Sequence, residues 1–318
     1  MKNKKAFEMN FAWIFAIVVG AAIIFLAIFA AVKLIGTERK AQNAQLGSDF
    51  ETILSPVETT LEVSSSFPPI SFPSKTRIYN DCKTQGNFGV QEIGTSISST
   101  IGEKWVKPNN PDRFFNKYLF SSSVIEGKKI FVFTERFDMP YKVADLIFII
   151  GEKEKYCFVN SPIEVRNEIT ALGIQNINVT DSPAKCSKNS TIVCFASSGC
   201  DIDININSKS VKRIAQKTVY YDDTFGNSLL FGAILAEPAV YECQLTRLMK
   251  RSSSLALIYS SKSAFLQASD CGSSTLQALL NSYSALALSL NNSLDIRRIA
   301  GNAQMIEEEN KHLACQLF

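Results

Sequence analysis

Tyr156 to Val179 reads YCFVNSPIEVRNEITALGIQNINV, and its pattern switches twice. The opening YCFVN is aromatic and β-branched, as a short strand requires. Ser161-Pro162-Ile163-Glu164 has the spacing of a capping box with proline at the first helical position, and Gly173 supplies a stop. β-Branched residues resume at Ile177. The unit reads strand–helix–strand.

The same composition extends outward on both sides. KKIFVFTERF, VADLIFIIG, TIVCFAS and TVYYDD are further short runs of strand character between Thr76 and Asp223. They predict an α+β domain with a mixed sheet over 76–225. After it the period changes to three-and-four. A helix opening at Pro238 carries Tyr241, Leu245, Leu248, Leu255, Tyr259 and Leu266 on one seam. A second carries Leu276, Leu279, Leu280, Tyr283, Leu286 and Leu290, and a third Ile296, Ile299, Ala303, Ile306 and Leu313. With short connections these predict an antiparallel three-helix bundle over 226–318.

Towards the N-terminus, Phe11 to Val32 carries no charged residue. At about 1.5 Å per residue it spans about 33 Å, enough for a hydrocarbon core of about 30 Å. That is too long for a signal-peptide core of about 7–15 residues, and Phe29-Ala30-Ala31 makes a poor cleavage site. The segment 1–36 therefore reads as a cytoplasmic tip and retained transmembrane anchor. The start "KKAFE" also loosely resembles an archaeal pilin-type signal. Cleavage before Ala6 would put Glu8 at the third mature position, where pilins usually carry their acidic residue at the fifth. Segment 37–75 reads as a stalk and linker, closed by the three prolines of SSSFPPISFPS.

Flanking charge orients the anchor only weakly, with Lys2, Lys4 and Lys5 before it and Lys33, Arg39 and Lys40 after it. Eight cysteines suit an oxidising compartment. Three glycosylation sequons, at Asn178, Asn189 and Asn291, are usable only outside the cytoplasm. The N-terminus is expected inside and the bulk outside.

Composition excludes several functions. The 33 basic and 30 acidic residues are interspersed, net +3, with no block resembling a nucleic-acid footprint. His312 is the sole histidine, which removes most imidazole-based acid–base, nucleophilic and metal chemistry. Asp201, Asp203 and Asn205 imitate the first ligands of a calcium loop. Ile206 and Lys212 occupy the positions that need glycine and a bidentate glutamate, so the segment reads as a strand. Ser182-Pro-Ala-Lys185 has a serine–lysine spacing without the accompanying motifs. No catalytic residue, metal site or cofactor is expected.

Five cysteines (Cys82, Cys157, Cys186, Cys194, Cys200) lie in the β region and three (Cys243, Cys271, Cys315) in the helical region. No Cys-x-x-Cys pair suggests zinc. If all pair internally, at least one bridge joins the two regions, and Cys243 is its natural donor. A second expectation is specific. Helices from about Ser273 to Leu290 and from about Leu294 to Cys315 are nearly matched at about 27 and 33 Å. In an up-down-up arrangement the start of one meets the end of the other, so Cys271 is expected to bond Cys315.

The stretches NFAWIFAIVVGAAI, ILSPVETTLE, TRIYNDCKTQGNFG, PYKVADLIFI, YCFVNSP, VCFASSGCDIDI, PAVYECQLTRLMKR and NKHLACQLF run almost from end to end. In them the chain resembles a family of single-span, membrane-anchored proteins of small-genome archaea. The resemblance implies an anchored archaeal protein of this layout and brings no substrate or catalytic residue with it. The expected function is a non-enzymatic, membrane-anchored binding or scaffold protein of the cell envelope, with an envelope protein as partner. The alternatives are a pilin-like subunit with a processed N-terminus and an envelope hydrolase using carboxylates.

Overall fold

The computed structural model describes residues 13–31, 33–34, 64–98, 105, 107–108, 110–195, 198–267 and 271–318. The segments read as a cytoplasmic tip and as a stalk up to residue 63, and the pilin-type cleavage position weighed before Ala6, lie outside the described residues. Helix α1, Trp13–Ala31, has a mean hydropathy of 3.0 and is long and apolar enough to cross a membrane; none of it is buried.

Two mixed sheets follow, and the fold is α+β. The first comprises β1 (Ser64–Ser66), β2 (Ile70–Lys83), β3 (Val90–Ile97), β4 (Asp112–Phe114), β5 (Tyr118–Phe120), β6 (Val124–Asp138) and β7 (Lys142–Gly151). Its order is β4-β3-β2-β6-β7-β5, with β1 also paired to β6. β4 and β5 stand at opposite ends of that order, yet only residues 115–117 separate them. Four Cα steps reach at most about 14 Å. The sheet therefore curls until its two edges face each other. Ile78, Ile93, Phe114, Leu119, Ile125, Val132, Ile147 and Ile149, drawn from all six strands of the path, form one apolar cluster. Alternate residues such as Phe131, Phe133, Leu146 and Phe148 belong to the larger core on the other side. Burial on both sides explains why LIFIIG is apolar without alternation.

The strands reach into the segment read as linker. Ser64–Ser66 and Ile70–Ser71 pair with β6. Pro68 and Pro69 fall between the strands, and Pro73 falls in the register shift between Ser71 and Thr76. None of these positions owes the ladder an N–H, so the prolines break a helix without preventing pairing.

On this sheet Glu126 accepts from Lys75 (2.9 Å), Arg77 (2.8 Å) and Lys153 (3.3 Å), and the Trp105 ring lies 4.4 Å from the Arg77 guanidinium. Hydrogen bonding from Lys75 above all, helped by Arg77 and Lys153 and opposed by partial burial, lowers the Glu126 pKa from 4.5 to about 2. A depressed carboxylate stabilises the fold fully above its unfolded pKa and loses that contribution as pH falls through the folded one. Glu126→Gln should therefore flatten the fall in stability between pH 4.5 and 2. Urea midpoints measured across that window check it, and an unchanged slope would refute the assignment.

The second sheet comprises β8 (Tyr156–Val159), β9 (Ile177–Thr180), β10 (Thr191–Phe195), β11 (Ile202–Asn205), β12 (Ser210–Arg213) and β13 (Val219–Tyr220), in the order β13-β12-β11-β10-β8-β9. β8 and β9 are parallel neighbours joined through α2 (Ile163–Leu172), a βαβ unit built from the stretch first quoted. Gly173 ends α2 in the left-handed conformation. The capping box does not form. Pro162 takes the N-cap, so Ser161 sits one position too early to reach the helix amides, and its buried hydroxyl lacks a partner.

Helix α3 (Ser228–Leu235) is buried on every side and packs Phe231 against Phe133 and Phe148. Helices α4 (Pro238–Gln267), α5 (Ser274–Leu288) and α6 (Ile296–Lys311) complete the chain. Ser253 meets Ser284 and Ser263 meets Ser273, so α4 and α5 run antiparallel. Ser273 donates to Glu309, which places the start of α5 beside the end of α6. One apolar core is continuous from Phe133 and Phe158 in the sheets to Leu245, Leu280 and Ile306 in the helices.

Candidate functional site

The curled sheet leaves a seam where β4 and β5 approach without pairing, and α4 fills it. Gln244 donates to the Leu119 carbonyl (2.9 Å) and to Gln91, which donates in turn to Asn80 (2.6 Å). Arg247 is fully buried. Its Nη1 donates to Lys117 O (2.9 Å) and Gln244 Oε1 (2.8 Å), its Nη2 to Phe115 O (3.1 Å) and Phe114 O (3.4 Å), and its Nε to Phe88 O (3.2 Å). All five donors of the guanidinium thus have acceptors. Desolvation, partly offset by Tyr118, lowers its pKa to about 10, which leaves it charged at neutral pH. Lys250, three residues on, donates to Thr84 O and Gly86 O, and Cys243 is bonded to Cys82 on β2. Cys243, Arg247 and Lys250 thus share one face of α4.

Gly89 belongs to the same seam. Its φ is +63°, and an added Cβ would lie 2.8 Å from Arg247 Cγ. Gly89→Ala should destabilise by about 2 kcal/mol or more, from left-handed strain and the displaced arginine. Thermal unfolding measures it, and a wild-type midpoint would contradict the seam.

An open cleft of about 480 Å³ lies at the start of α4, lined by Gln216, Lys217, Glu237, Pro238, Ala239 and Glu242. That volume falls within the range of small-ligand sites, about 300–1,000 Å³. Glu242 accepts from the Ser293 amide (2.7 Å) with one oxygen and from the Ser293 hydroxyl (2.8 Å) with the other, and Lys217 lies 3.5 Å away. Glu237 accepts from Ser123 Oγ (3.0 Å). Behind it, Arg213 donates to the carbonyls of Ile234 and Ala236 at the end of α3. Burial lowers the Arg213 pKa, while Tyr156, Glu237 and Glu154 pull it back up. Both Glu242 oxygens are engaged in joining the α5–α6 connection to α4. The cleft presents a lysine, an amide and two carboxylates for contact with a ligand.

The residues singled out in sequence are dispersed. Asp201 accepts from the Ile192 amide, Asp203 from those of Gly199 and Cys200, and Asn205 from that of Ser208. They brace loops around β11, and no cluster of three or more potential metal ligands occurs among the described residues. His312 caps the end of α6 and is exposed. The cysteines form four bridges: Cys82–Cys243, Cys157–Cys186, Cys194–Cys200 and Cys271–Cys315, with Cα separations of 6.0, 5.8, 6.0 and 5.3 Å. Asn178, Asn189 and Asn291 are all exposed.

Sequence reasoning missed Gln244, Arg247 and the cleft. A signal existed for the first two: Tyr241, Gln244, Leu248 and Cys243, Arg247, Lys250 recur at helical spacing around the apolar stripe. No family model matches the chain, and no curated protein or solved structure matches it.

Proposed function

We propose that the protein is a non-enzymatic binding or scaffold protein of an archaeal cell envelope, anchored by α1 with its N-terminus in the cytoplasm and its bulk outside. One observation carries the reading: an apolar helix of spanning length precedes a body in which all eight cysteines are paired. Such pairing persists in oxidising compartments. Both oxygens of Glu242 are held by Ser293, which favours a holding role for that carboxylate over removing a proton from a ligand. In this reading α4, α5 and α6 act as an antiparallel three-helix bundle that stiffens the sheets, and the cleft beside Lys217 takes the envelope partner.

Alkylation of intact cells without reductant should label none of the eight cysteines, and external protease should reach the region after residue 64. Labelling of most cysteines would defeat the placement. Intact mass separates the pilin-like alternative, since a mature N-terminus at Ala6 would show processing. Cross-linking on cells should retain a partner that Lys217→Glu loses. Equal recovery with both chains would remove the cleft from the proposal.

A further inference from the structure

The second sheet is covered unequally. One face carries Phe158, Val193, Phe195, Ile202 and Ile204 into the main core, where α2 and the C-terminal helices pack. Strands with parallel neighbours are ordinarily covered on both faces. Here, among the described residues, the other face is closed by a small cluster built on two disulfides: Cys157, Val159 and Cys194 are buried beneath Cys186, Ile192 and Cys200. No helix among the described residues contributes to that small cluster.

The Asn189 sequon stands at the rim of this face. Cys186, three residues earlier, is bonded to Cys157 beneath it. Asn189 itself is exposed in the turn closed by the Ser190 amide on Ser187 O, and Thr191 opens β10. The three sequons differ in how the fold treats the hydroxyl residue that completes them. Ser293, which completes the Asn291 sequon, is 1% exposed; its hydroxyl donates to Glu242 and accepts from the Tyr220 amide. Thr180, which completes that of Asn178, is 8% exposed, and Asn178 is fixed within β9. Thr191 is only partly buried. Asn189-Ser190-Thr191 alone offers both recognition residues after folding, and it does so in a turn.

We propose that Asn189 carries an N-linked glycan, which roofs the helix-free face of the second sheet, while Asn178 and Asn291 stay bare. The donor class is a lipid-phosphate-linked oligosaccharide handled by a membrane transferase. The Asn189 carboxamide nitrogen bonds the anomeric carbon, the carbon–oxygen bond to phosphate breaks, and the lipid phosphate leaves with the electron pair. The nitrogen gives its proton to the transferase's base. A bulky hydrophilic group at this rim supplies the solvation that the thin disulfide layer does not. The inference rests on the extracytoplasmic placement proposed above.

The test is glycopeptide mapping and intact mass of the full chain purified from its native membranes, with cysteine alkylation on the same sample. The expected result is a glycan at Asn189, with the whole added mass lost in Asn189→Gln and in Thr191→Ala and kept in Thr191→Ser. Circular dichroism of each variant should match wild type, since Asn189 lies in an exposed turn and Thr191 is the partly buried first residue of β10, where alanine and serine keep the backbone pairing. A bare Asn189 on a fully oxidised chain overturns the glycan alone. A bare Asn189 on a chain with alkylatable cysteines overturns it together with the placement. A glycan at Asn178 or Asn291 overturns it as well.

Discussion

Arg247→Met should destabilise the folded region by about 3–5 kcal/mol, a large part of the 5–15 kcal/mol that holds a domain together. Methionine fills much of the volume, so the change isolates hydrogen bonding from cavity formation. The carbonyls of Phe88, Phe114, Phe115 and Lys117 would lose their donor inside the seam. Bonds from a charged donor contribute about 1.5–3 kcal/mol each. Against them stands the dehydration of the guanidinium, which costs several kcal/mol and is relieved in the variant. The balance remains strongly unfavourable because four backbone acceptors depend on one side chain. Arg247→Lys should fall only part of the way back, since an ammonium cannot span acceptors spread around a planar fork. Urea unfolding of the full chain in detergent, followed by circular dichroism, gives both numbers. A methionine variant within 1 kcal/mol of wild type would mean that water or backbone movement serves the seam equally well.

The elements that were legible in the sequence are those whose cause is local. Pro162, Gly173 and the flanking β-branched residues lie within one short stretch and specify β8, α2 and β9 almost unaided. The seams of α5 and α6 were legible because each keeps an exposed face, and that of α4 because its large apolar residues still recur at three-and-four spacing although residues 240–256 include no exposed position. Helix α3 was not, since SLLFGAIL is buried on every face and so has no period to detect. Strand β3 was hidden for the opposite reason. Gln91 and Glu92 are buried polar residues that a pattern reading places outside, and Gln91 is satisfied by donating to Asn80 and to the Asp81 carbonyl and by accepting from Gln244. The curl of the first sheet rests on β4 and β5, three residues each, too short to carry any alternation. Arg247 illustrates the limit most clearly. Its backbone acceptors lie 130 and more residues earlier, and a charged residue on a helix reads as solvated until the sheet that surrounds it is known. The cysteines sit between these cases. Five before residue 226 and three after it required a crossing bridge if all were paired, but their number could not say that Cys82 would be the partner.

That crossing bridge should matter more than the others. Cys82 and Cys243 are 161 residues apart, while Cys194 and Cys200 are separated by 6. If a bridge acts by restricting the unfolded chain, its contribution grows with the logarithm of the loop it closes. The relation gives about 5 kcal/mol for the long loop and about 2 kcal/mol for the short one at 25 °C. Two bridges are nested inside the long loop and already close 29 and 6 residues of it. They shorten it by about a fifth, which lowers the logarithmic term by only a few tenths of a kcal/mol. Position adds to the effect. Cys243 precedes Gln244 by one residue, so the bridge holds the first turns of α4 against β2 where the seam is closed. Its loss should therefore free the amides around Gln244 and Arg247 to exchange, beyond the global loss of stability. Cys82→Ala with Cys243→Ala should destabilise by about 4–5 kcal/mol, and Cys194→Ala with Cys200→Ala by about 2 kcal/mol. Denaturant unfolding and hydrogen exchange on the two double variants test magnitude and place together. Equal losses, or the larger loss from the short loop, would show that local packing of the second sheet outweighs chain restriction in this fold.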